Sequence, residues 1–132
     1  MIKGIGNDII EIERIAKAAE KESFIKRWFT EKEIAYFKEK NMRAETVAGS
    51  FSAKEAVSKA FGTGFSGFGA EEIEILRDKK GKPYVNLTGN ALKKAKELGI
   101  DKIIISISHC REYASAVALC EGRAQNENGT CL

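Results

Sequence analysis

The longest helical pattern in the sequence covers residues 44–61 and runs directly into a glycine-rich stretch. Its apolar side chains recur at intervals of three and four residues: Val47, Phe51, Ala56, Val57, Ala60 and Phe61. This spacing favours a helix with one apolar face, which another layer of the fold has to cover. Gly62 then predicts the end of the helix, because glycine readily adopts the left-handed backbone conformation of a C-terminal cap. The fold must therefore be built around one long helix.

The residues before this helix predict a strand and shorter helices. Residues 2–10 are rich in isoleucine and predict a short strand. The apolar residues of 11–21 then have helical spacing, which predicts a helix. Thr30 followed by Glu33 is the pattern of a capping box, which predicts a further helix that ends near Glu39.

Strands dominate the residues after the long helix. Residues 71–87 contain two alternating runs around an Asp-Lys-Lys-Gly turn, which predicts a β-hairpin with Pro83 at the start of a strand or on an edge. A short helix is predicted over 88–99, and two further strands over 101–109 and 113–121. Because strands and helices do not alternate regularly, this order predicts an α+β domain with a mainly antiparallel sheet packed against the long helix.

The 132 residues suffice for one domain with its own core, and we expect it to cover residues 1–121, with a frayed tail over 122–132. No window approaches the roughly 18 apolar residues of a membrane span, so we expect a soluble protein that does not bind a membrane. Acidic residues near the N-terminus predict that it carries no signal peptide. Three cysteines without metal-ligand spacing predict free thiols in the cytoplasm: Cys110, Cys120 and Cys131.

The charge and the motifs narrow the classes of function. A net charge of +3 fits an anionic ligand or an acidic protein partner, but it is too small to indicate nucleic-acid binding. The sequence has no Ser/His/Asp order, no Cys/His metal cluster and no P-loop. These absences leave hydrolase and nucleotide-kinase interpretations without support.

Glu55 and Lys59 lie one turn apart in the predicted long helix. Their order favours an exposed ion pair worth roughly 0.3–0.5 kcal/mol, so a surface pair is the simplest interpretation. The stripe that carries them lies opposite the apolar face and includes Ser52, Glu55, Lys59 and Gly62. It leads to the glycine-rich loop, where backbone N–H groups could meet a phosphate, so a functional site is the second interpretation.

Asp8 follows two glycines at the end of the first predicted strand, where it is placed either to cap the next helix or to act as a ligand. If Asp8 and Glu55 converge, two carboxylates would form an oxygen-only site that suits Mg²⁺. His109 is the only histidine, and we interpret it as a partner for a backbone carbonyl or a phosphate.

Four segments of the sequence resemble the holo-[acyl-carrier-protein] synthase family of small bacterial 4′-phosphopantetheinyl transferases. In chain order they are GIGNDIIEIERI, FSAKEAVSKAFGTG, DKKGKPYV and SISHCREYASAVA. The resemblance spans about residues 1–121. Its most specific part is a G-x-D motif paired with a downstream K-E-A-x-x-K-A motif in a chain of this length.

The resemblance implies a site and a reaction. Asp8 and Glu55 would bind Mg²⁺ beside the pyrophosphate of coenzyme A, and Lys59 would face the reacting phosphates. Gly62 and Gly64 would allow close approach of the backbone. The implied reaction is attack by a serine hydroxyl of apo-acyl carrier protein on the β-phosphate of coenzyme A. It transfers 4′-phosphopantetheine, for fatty acid biosynthesis, and releases adenosine 3′,5′-bisphosphate.

The resemblance also implies partners and an assembly. Arg14 on the first helix would dock the acidic carrier protein. The resemblance implies a homotrimer with active sites between subunits, in which Pro83 and His109 would line the coenzyme A groove. The sequence departs from the family at Ser50, where many relatives carry a basic residue.

Two other functions stay open from the residues alone. A metal-dependent phosphodiesterase or nuclease could use two carboxylates and a lysine, although it would need further acidic ligands. A non-catalytic module could bind acidic proteins through the helix that carries Arg14, and it would need no Mg²⁺.

Overall fold

Five helices and five strands form the part of the chain that the computed structural model describes, residues 1–124. The helices are α1 (Ile12–Ala19), α2 (Glu22–Trp28), α3 (Glu31–Glu39), α4 (Ala44–Ala60) and α5 (Gly89–Glu97). The strands are β1 (Ile2–Glu11), β2 (Ile73–Arg77), β3 (Pro83–Leu87), β4 (Lys102–His109) and β5 (Tyr113–Glu121). A short 3₁₀ turn, Ala70–Glu72, precedes β2. Most of the predicted tail, residues 125–132 with Cys131, lies outside the described residues.

Both sheets are antiparallel. The larger one has the strand order β1-β5-β4, and the smaller one is the hairpin of β2 and β3. In the larger sheet Asp8 lies opposite Ala116, and His109 lies opposite Ala114. The predicted α+β class, the antiparallel pairing and the single long helix are confirmed. Within residues 1–124, none of the helices combines the length and the apolar character that crossing a membrane requires.

Helix α4 is buried on more sides than its apolar pattern predicts. The inner face of β5 covers it with small side chains that are at most 1% exposed: Ala114, Ala116, Ala118 and Cys120. On α4 itself Ser52 and Lys54 are 0% exposed, although both are polar. Of the stripe predicted to lie opposite the apolar face, Ser52 is buried against β1, Glu55 is half-buried, and Lys59 and Gly62 are exposed.

Two glycines bring the backbone of β1 against the backbone of α4. A Cβ atom on Gly4 would collide with the carbonyl oxygen of Ala60, and one on Gly6 would collide with that of Ala56. The helix offers alanine at both points, so no side chain separates the two elements. Strand and helix are in this way fixed at a separation that larger residues would not permit.

Helix α2 is not predicted by the sequence pattern. Its first residue follows Lys21, which makes no side-chain cap, so a clear start signal is absent at this point. The helix is instead held by packing: Ile25 is 7% exposed, and the ring centroid of Trp28 lies 4.5 Å from that of Phe51 on α4. By contrast, the capping box that predicted α3 is formed, because Thr30 and Glu33 exchange both hydrogen bonds.

A buried ion pair joins α3, α4 and the start of β2. Lys54 Nζ lies 2.8 Å from Glu33 Oε1, and both side chains are 0% exposed. Lys54 also donates to the carbonyl oxygens of Ala70 and Ile73, which uses all three of its donors. Glu33 in turn accepts from the N–H of Ile75. Burial raises the pKa of Glu33 and lowers the pKa of Lys54, and each partner's charge opposes the other's shift.

We expect Lys54→Met to lower the free energy of unfolding by about 3–5 kcal/mol, because it leaves the carboxylate of Glu33 buried without a counter-charge. Lys26→Met is the matched control, since Lys26 pairs with Glu22 at 3.0 Å on an exposed surface, and we expect it to cost less than about 1 kcal/mol. Urea denaturation of both variants measures the difference. Equal costs would show that the buried pair does not hold these elements together.

Candidate active site

An open cavity of about 590 Å³ lies where β1, α1 and α4 meet. Its charged lining consists of Asp8, Glu11, Arg14, Glu55 and Lys59. The apolar lining includes Ile10, Ile15, Ala18, Phe24 and Phe51. Four side chains predicted from distant parts of the sequence therefore meet at one cavity, namely the two carboxylates, the lysine and the arginine.

Asp8 reaches this cavity because of the glycine contacts of β1. Alternate residues of a strand share a face, and so do residues four apart on a helix. Gly6 lies against Ala56, so Asp8, two residues further along β1, lies against Ser52, four residues earlier on α4. The Ser52 hydroxyl lies 3.0 Å from Asp8 Oδ2 and 3.2 Å from the Asp8 carbonyl oxygen. Ser115 of β5 donates to the same carbonyl at 3.0 Å.

The simpler interpretations of Asp8 and Lys59 are wrong. Asp8 lies inside β1, and the N-cap of α1 is Glu11, which makes no side-chain cap. Lys59 Nζ lies 3.1 Å from Asp8 Oδ1, so its ion pair crosses from α4 to β1 instead of running along the helix to Glu55. The Lys59 side chain is 52% exposed, whereas that of Asp8 is 13% exposed. The lysine therefore stands at the solvent side of the cavity.

The electrostatics around Glu55 favour a cation. Burial raises the pKa of Glu55, the negative charge of Asp8 raises it further, and Lys59 partly lowers it. The two carboxylates are thus close enough to repel each other. Among residues 1–124, no group of three or more His, Cys, Asp or Glu side chains is arranged to hold a metal. Two hard carboxylate oxygens nevertheless fit Mg²⁺, which takes its remaining ligands from water and substrate phosphates.

The other predicted site residues do not line this cavity within their own chain. Gly62 and Gly64 lie in the loop after α4 with φ of +80° and +62°, which is the left-handed region that favours glycine. Pro83 is the first residue of β3, as predicted. His109 ends β4 beside a separate cavity. Ser50, where the sequence departs from the family, is 1% exposed inside α4.

The apolar wall of the cavity is not predicted by the sequence pattern. Phe24 of α2 stacks on Phe51 of α4 with ring centroids 6.0 Å apart. Phe51 was assigned to the apolar face of the long helix, and Phe24 belongs to the helix that was not predicted. The contact of Ser52 with Asp8 was also missed, although the spacing of Gly4, Gly6 and Asp8 against the small residues of the helix carries a signal for it.

Known proteins match this chain over nearly its whole length. Residues 4–118 match the family model described as the 4′-phosphopantetheinyl transferase superfamily. A holo-[acyl-carrier-protein] synthase of Clostridium botulinum (strain Alaska E43 / Type E3) is 57% identical over 122 residues, which are 92% of this chain and 98% of the relative.

Solved structures show the same fold. The holo-ACP-synthase of Plasmodium yoelii superposes with a TM-score of 0.83 at 41% identity, over 94% of this chain and 98% of that one. A holo-[acyl-carrier-protein] synthase of Helicobacter pylori in complex with coenzyme A superposes with a TM-score of 0.78 at 32% identity, over 89% of this chain and 99% of that one.

We expect Glu55→Gln to raise the melting temperature at pH 7 in the absence of divalent metal. The raised pKa means that the folded state disfavours ionised Glu55. The charge therefore lowers the stability of the fold as the pH rises through the pKa that Glu55 has in the unfolded chain, and the amide of glutamine removes that cost. Mg²⁺ should stabilise the unsubstituted protein and not the variant. Thermal melts with and without Mg²⁺ measure this. Glu97→Gln, an exposed change on α5, is the control, and an equal response to Mg²⁺ in both variants would contradict the assignment.

Proposed function

The chain belongs to the 4′-phosphopantetheinyl transferase superfamily, and we propose that its Asp8 cavity is the active site of a holo-[acyl-carrier-protein] synthase. The reaction transfers the 4′-phosphopantetheine group of coenzyme A to apo-acyl carrier protein. The observation that carries the proposal is the meeting of Asp8, Glu55 and Lys59 at one cavity, because all three belong to the motifs on which the resemblance rests.

We propose that Asp8 and Glu55 bind Mg²⁺. The support for this site is chemical: both residues are carboxylates, both line the cavity, and burial followed by the negative charge of Asp8 raises the pKa of Glu55. Mg²⁺ bound there would supply positive charge beside the pyrophosphate of coenzyme A. The two side chains hold the position in which that charge is needed, one from β1 and the other from α4.

Lys59 is the proposed partner of the transferring phosphate. Its ammonium group is half exposed at the cavity and pairs with Asp8 at 3.1 Å. The carrier protein's serine hydroxyl loses its proton to solvent, and its oxygen forms a bond to the β-phosphorus of coenzyme A while the bond from that phosphorus to the bridging oxygen breaks. Adenosine 3′,5′-bisphosphate leaves with the electron pair, and a positive charge from Lys59 stabilises the phosphoryl oxygens as negative charge develops on them.

Arg14 is the proposed docking residue for the carrier protein. It is exposed on α1 and lines the same cavity as the two carboxylates. An acidic helix bound to this part of α1 would bring its serine next to the phosphates of coenzyme A. Complementary charge at such a rim mainly accelerates encounter and fixes orientation.

We propose a homotrimer with active sites between subunits. The outer face of the larger sheet exposes five large apolar or aromatic side chains: Ile5, Ile9, Ile104, Tyr113 and Val117. Exposed apolar surface of this kind marks an interaction site. A neighbouring subunit would also supply to the coenzyme A groove the residues that do not line the Asp8 cavity of their own chain, Pro83 and His109 among them.

The cytoplasm is the proposed location. Cys110 and Cys120 are free thiols, which a reducing compartment favours. Cys120 is also buried, and burial raises its pKa to about 11, so this thiol stays protonated and unreactive at neutral pH.

The proposal is tested by incubating the full chain with apo-acyl carrier protein, coenzyme A and Mg²⁺, and by measuring the intact mass of the carrier protein. A gain equal to one phosphopantetheine group supports it. Cleavage of coenzyme A without an acceptor protein would favour a phosphodiesterase instead, and binding of the carrier protein without any change in mass would favour a non-catalytic module.

We expect Lys59→Ala to slow transfer roughly 10²- to 10³-fold, by analogy with the loss of an oxyanion donor. Lys59→Arg should recover part of the rate, because it keeps the charge but changes its reach and hydration. Single-turnover transfer at saturating coenzyme A and Mg²⁺ measures both, and Lys93→Ala on the exposed surface of α5 is the control. A rate for Lys59→Ala within about threefold of the unsubstituted protein would remove the lysine from the reaction.

We expect Ile5→Glu to convert the assembly into monomers, because the charge would be buried without a partner in the proposed interface. The Ile5 side chain is 67% exposed in the single chain, so the fold itself should tolerate the change. Leu92→Glu on α5, where the leucine is 38% exposed, is the matched control and should leave the mass of the assembly unchanged. Light scattering during size-exclusion chromatography gives the mass. A trimer that persists in Ile5→Glu would place the interface elsewhere.

A further inference from the structure

We propose that Ser52 is a positioning residue for Asp8. Its hydroxyl holds one oxygen of the Asp8 carboxylate and so aims the other oxygen at the cation. This inference rests on the proposed function of Asp8 as a metal ligand, and it adds a residue that none of the motif roles includes.

The hydroxyl of Ser52 has an unusual target for a serine inside a helix. Such hydroxyls commonly bond back to a carbonyl of their own helix three or four residues earlier. Ser58 does this, since its Oγ lies 2.7 Å from the carbonyl oxygen of Glu55. Ser52 instead leaves α4 and reaches a carboxylate that is 44 residues away in the sequence. Two buried serines of one helix therefore have different roles.

Ser115 leaves the Ser52 proton free for the carboxylate. The Ser52 hydroxyl carries one proton but lies near two acceptors, Oδ2 of Asp8 at 3.0 Å and the Asp8 carbonyl oxygen at 3.2 Å. Ser115 already donates to that carbonyl at 3.0 Å. The charged oxygen is both the closer and the stronger acceptor, so it takes the Ser52 proton. The main chain of Asp8 is thus held by one serine and its side chain by the other.

The two carboxylate oxygens of Asp8 differ in how firmly they are held. Oδ2 is bonded to Ser52, which is 0% exposed and packed where α4 meets β1. Oδ1 is bonded to Lys59, whose long side chain is 52% exposed and free to turn toward a phosphate. When the lysine turns away, Oδ1 is released while Oδ2 stays fixed. The carboxylate would then present one oxygen, Oδ1, to the cation in a single orientation.

A fixed carboxylate binds a metal more tightly than a mobile one, because less side-chain entropy is lost on binding. A serine that only satisfied its own polar group in the core would influence folding alone. A positioning role and a purely structural role for Ser52 are therefore distinguished by metal affinity and not by thermal stability.

The test is isothermal titration of Mn²⁺, a close substitute for Mg²⁺, into the full chain without coenzyme A. We expect Ser52→Ala to weaken binding roughly 10- to 100-fold, the usual effect of removing a group that orients a metal ligand. Alanine fits this position, since Ala56 and Ala60 make the equivalent contacts with β1. Ser58→Ala is the matched control and should bind Mn²⁺ as the unsubstituted chain does, and melting temperatures are recorded for all variants.

The design separates failure of the inference from failure of the proposed metal site. If the unsubstituted chain binds no Mn²⁺, or Asp8→Asn binds it equally well, the proposed metal site is wrong and the role of Ser52 falls with it. If Asp8→Asn loses binding but Ser52→Ala retains full or greater affinity, only the inference about Ser52 is overturned.

Ser115→Ala distinguishes the two serines. It removes a bond to the main chain of Asp8 and leaves the bond to the carboxylate, so we expect Mn²⁺ affinity within about threefold of the unsubstituted chain. A loss as large as that of Ser52→Ala would mean that the placement of the strand, and not the orientation of the carboxylate, controls binding, and would overturn the inference.

Discussion

The buried pair of Lys54 and Glu33 fixes the rotation of the long helix, and the candidate active site depends on that rotation. The ammonium group of Lys54 is tied to α3, to the 3₁₀ turn and to β2 at once, so α4 cannot turn about its axis without breaking several buried hydrogen bonds. Successive residues on an α-helix differ by about 100° in direction. Glu55 follows Lys54 directly, so a lysine anchored in the core directs the next side chain toward the cavity. A charge pair outside the cavity thereby decides where the carboxylate of Glu55 points.

The second constraint is the contact between β1 and α4, which brings two sequence periods into agreement. Every second residue of β1 lies against every fourth residue of α4, and the two glycines of β1 let the backbones of strand and helix touch. Because the two spacings match, Asp8 lies against Ser52. The site therefore requires no dedicated loop for its first carboxylate, because the ordinary geometry of a strand on a helix delivers it.

Local signals predicted most of the fold, and contacts between distant residues explain what they missed. The Thr30 and Glu33 capping box, the bounds of α4 and the hairpin are set by neighbours in sequence, and each was predicted. Helix Glu22–Trp28 lacks a start signal and is held by aromatic packing, so its pattern alone did not predict it. Asp8, Glu55 and Lys59 stand out by their positions in the sequence, and the family resemblance supplied their expected roles. Their convergence, and the pairing of Lys59 with Asp8, depend on how β1 lies on α4, for which the sequence offers only the spacing of small residues on the two elements.

The glycine contacts also limit how this protein can vary. When a new side chain collides with another side chain, a second substitution can trim the neighbour and restore the fit. At Gly4 and Gly6 the neighbour is a carbonyl oxygen of the helix backbone, which every residue type carries. No exchange at Ala56 or Ala60 can remove it. A suppressor of any substitution here would have to move the whole helix, and with it the core that the helix fills. At these two positions a single neighbouring substitution therefore cannot compensate, whether in natural drift or in a designed library.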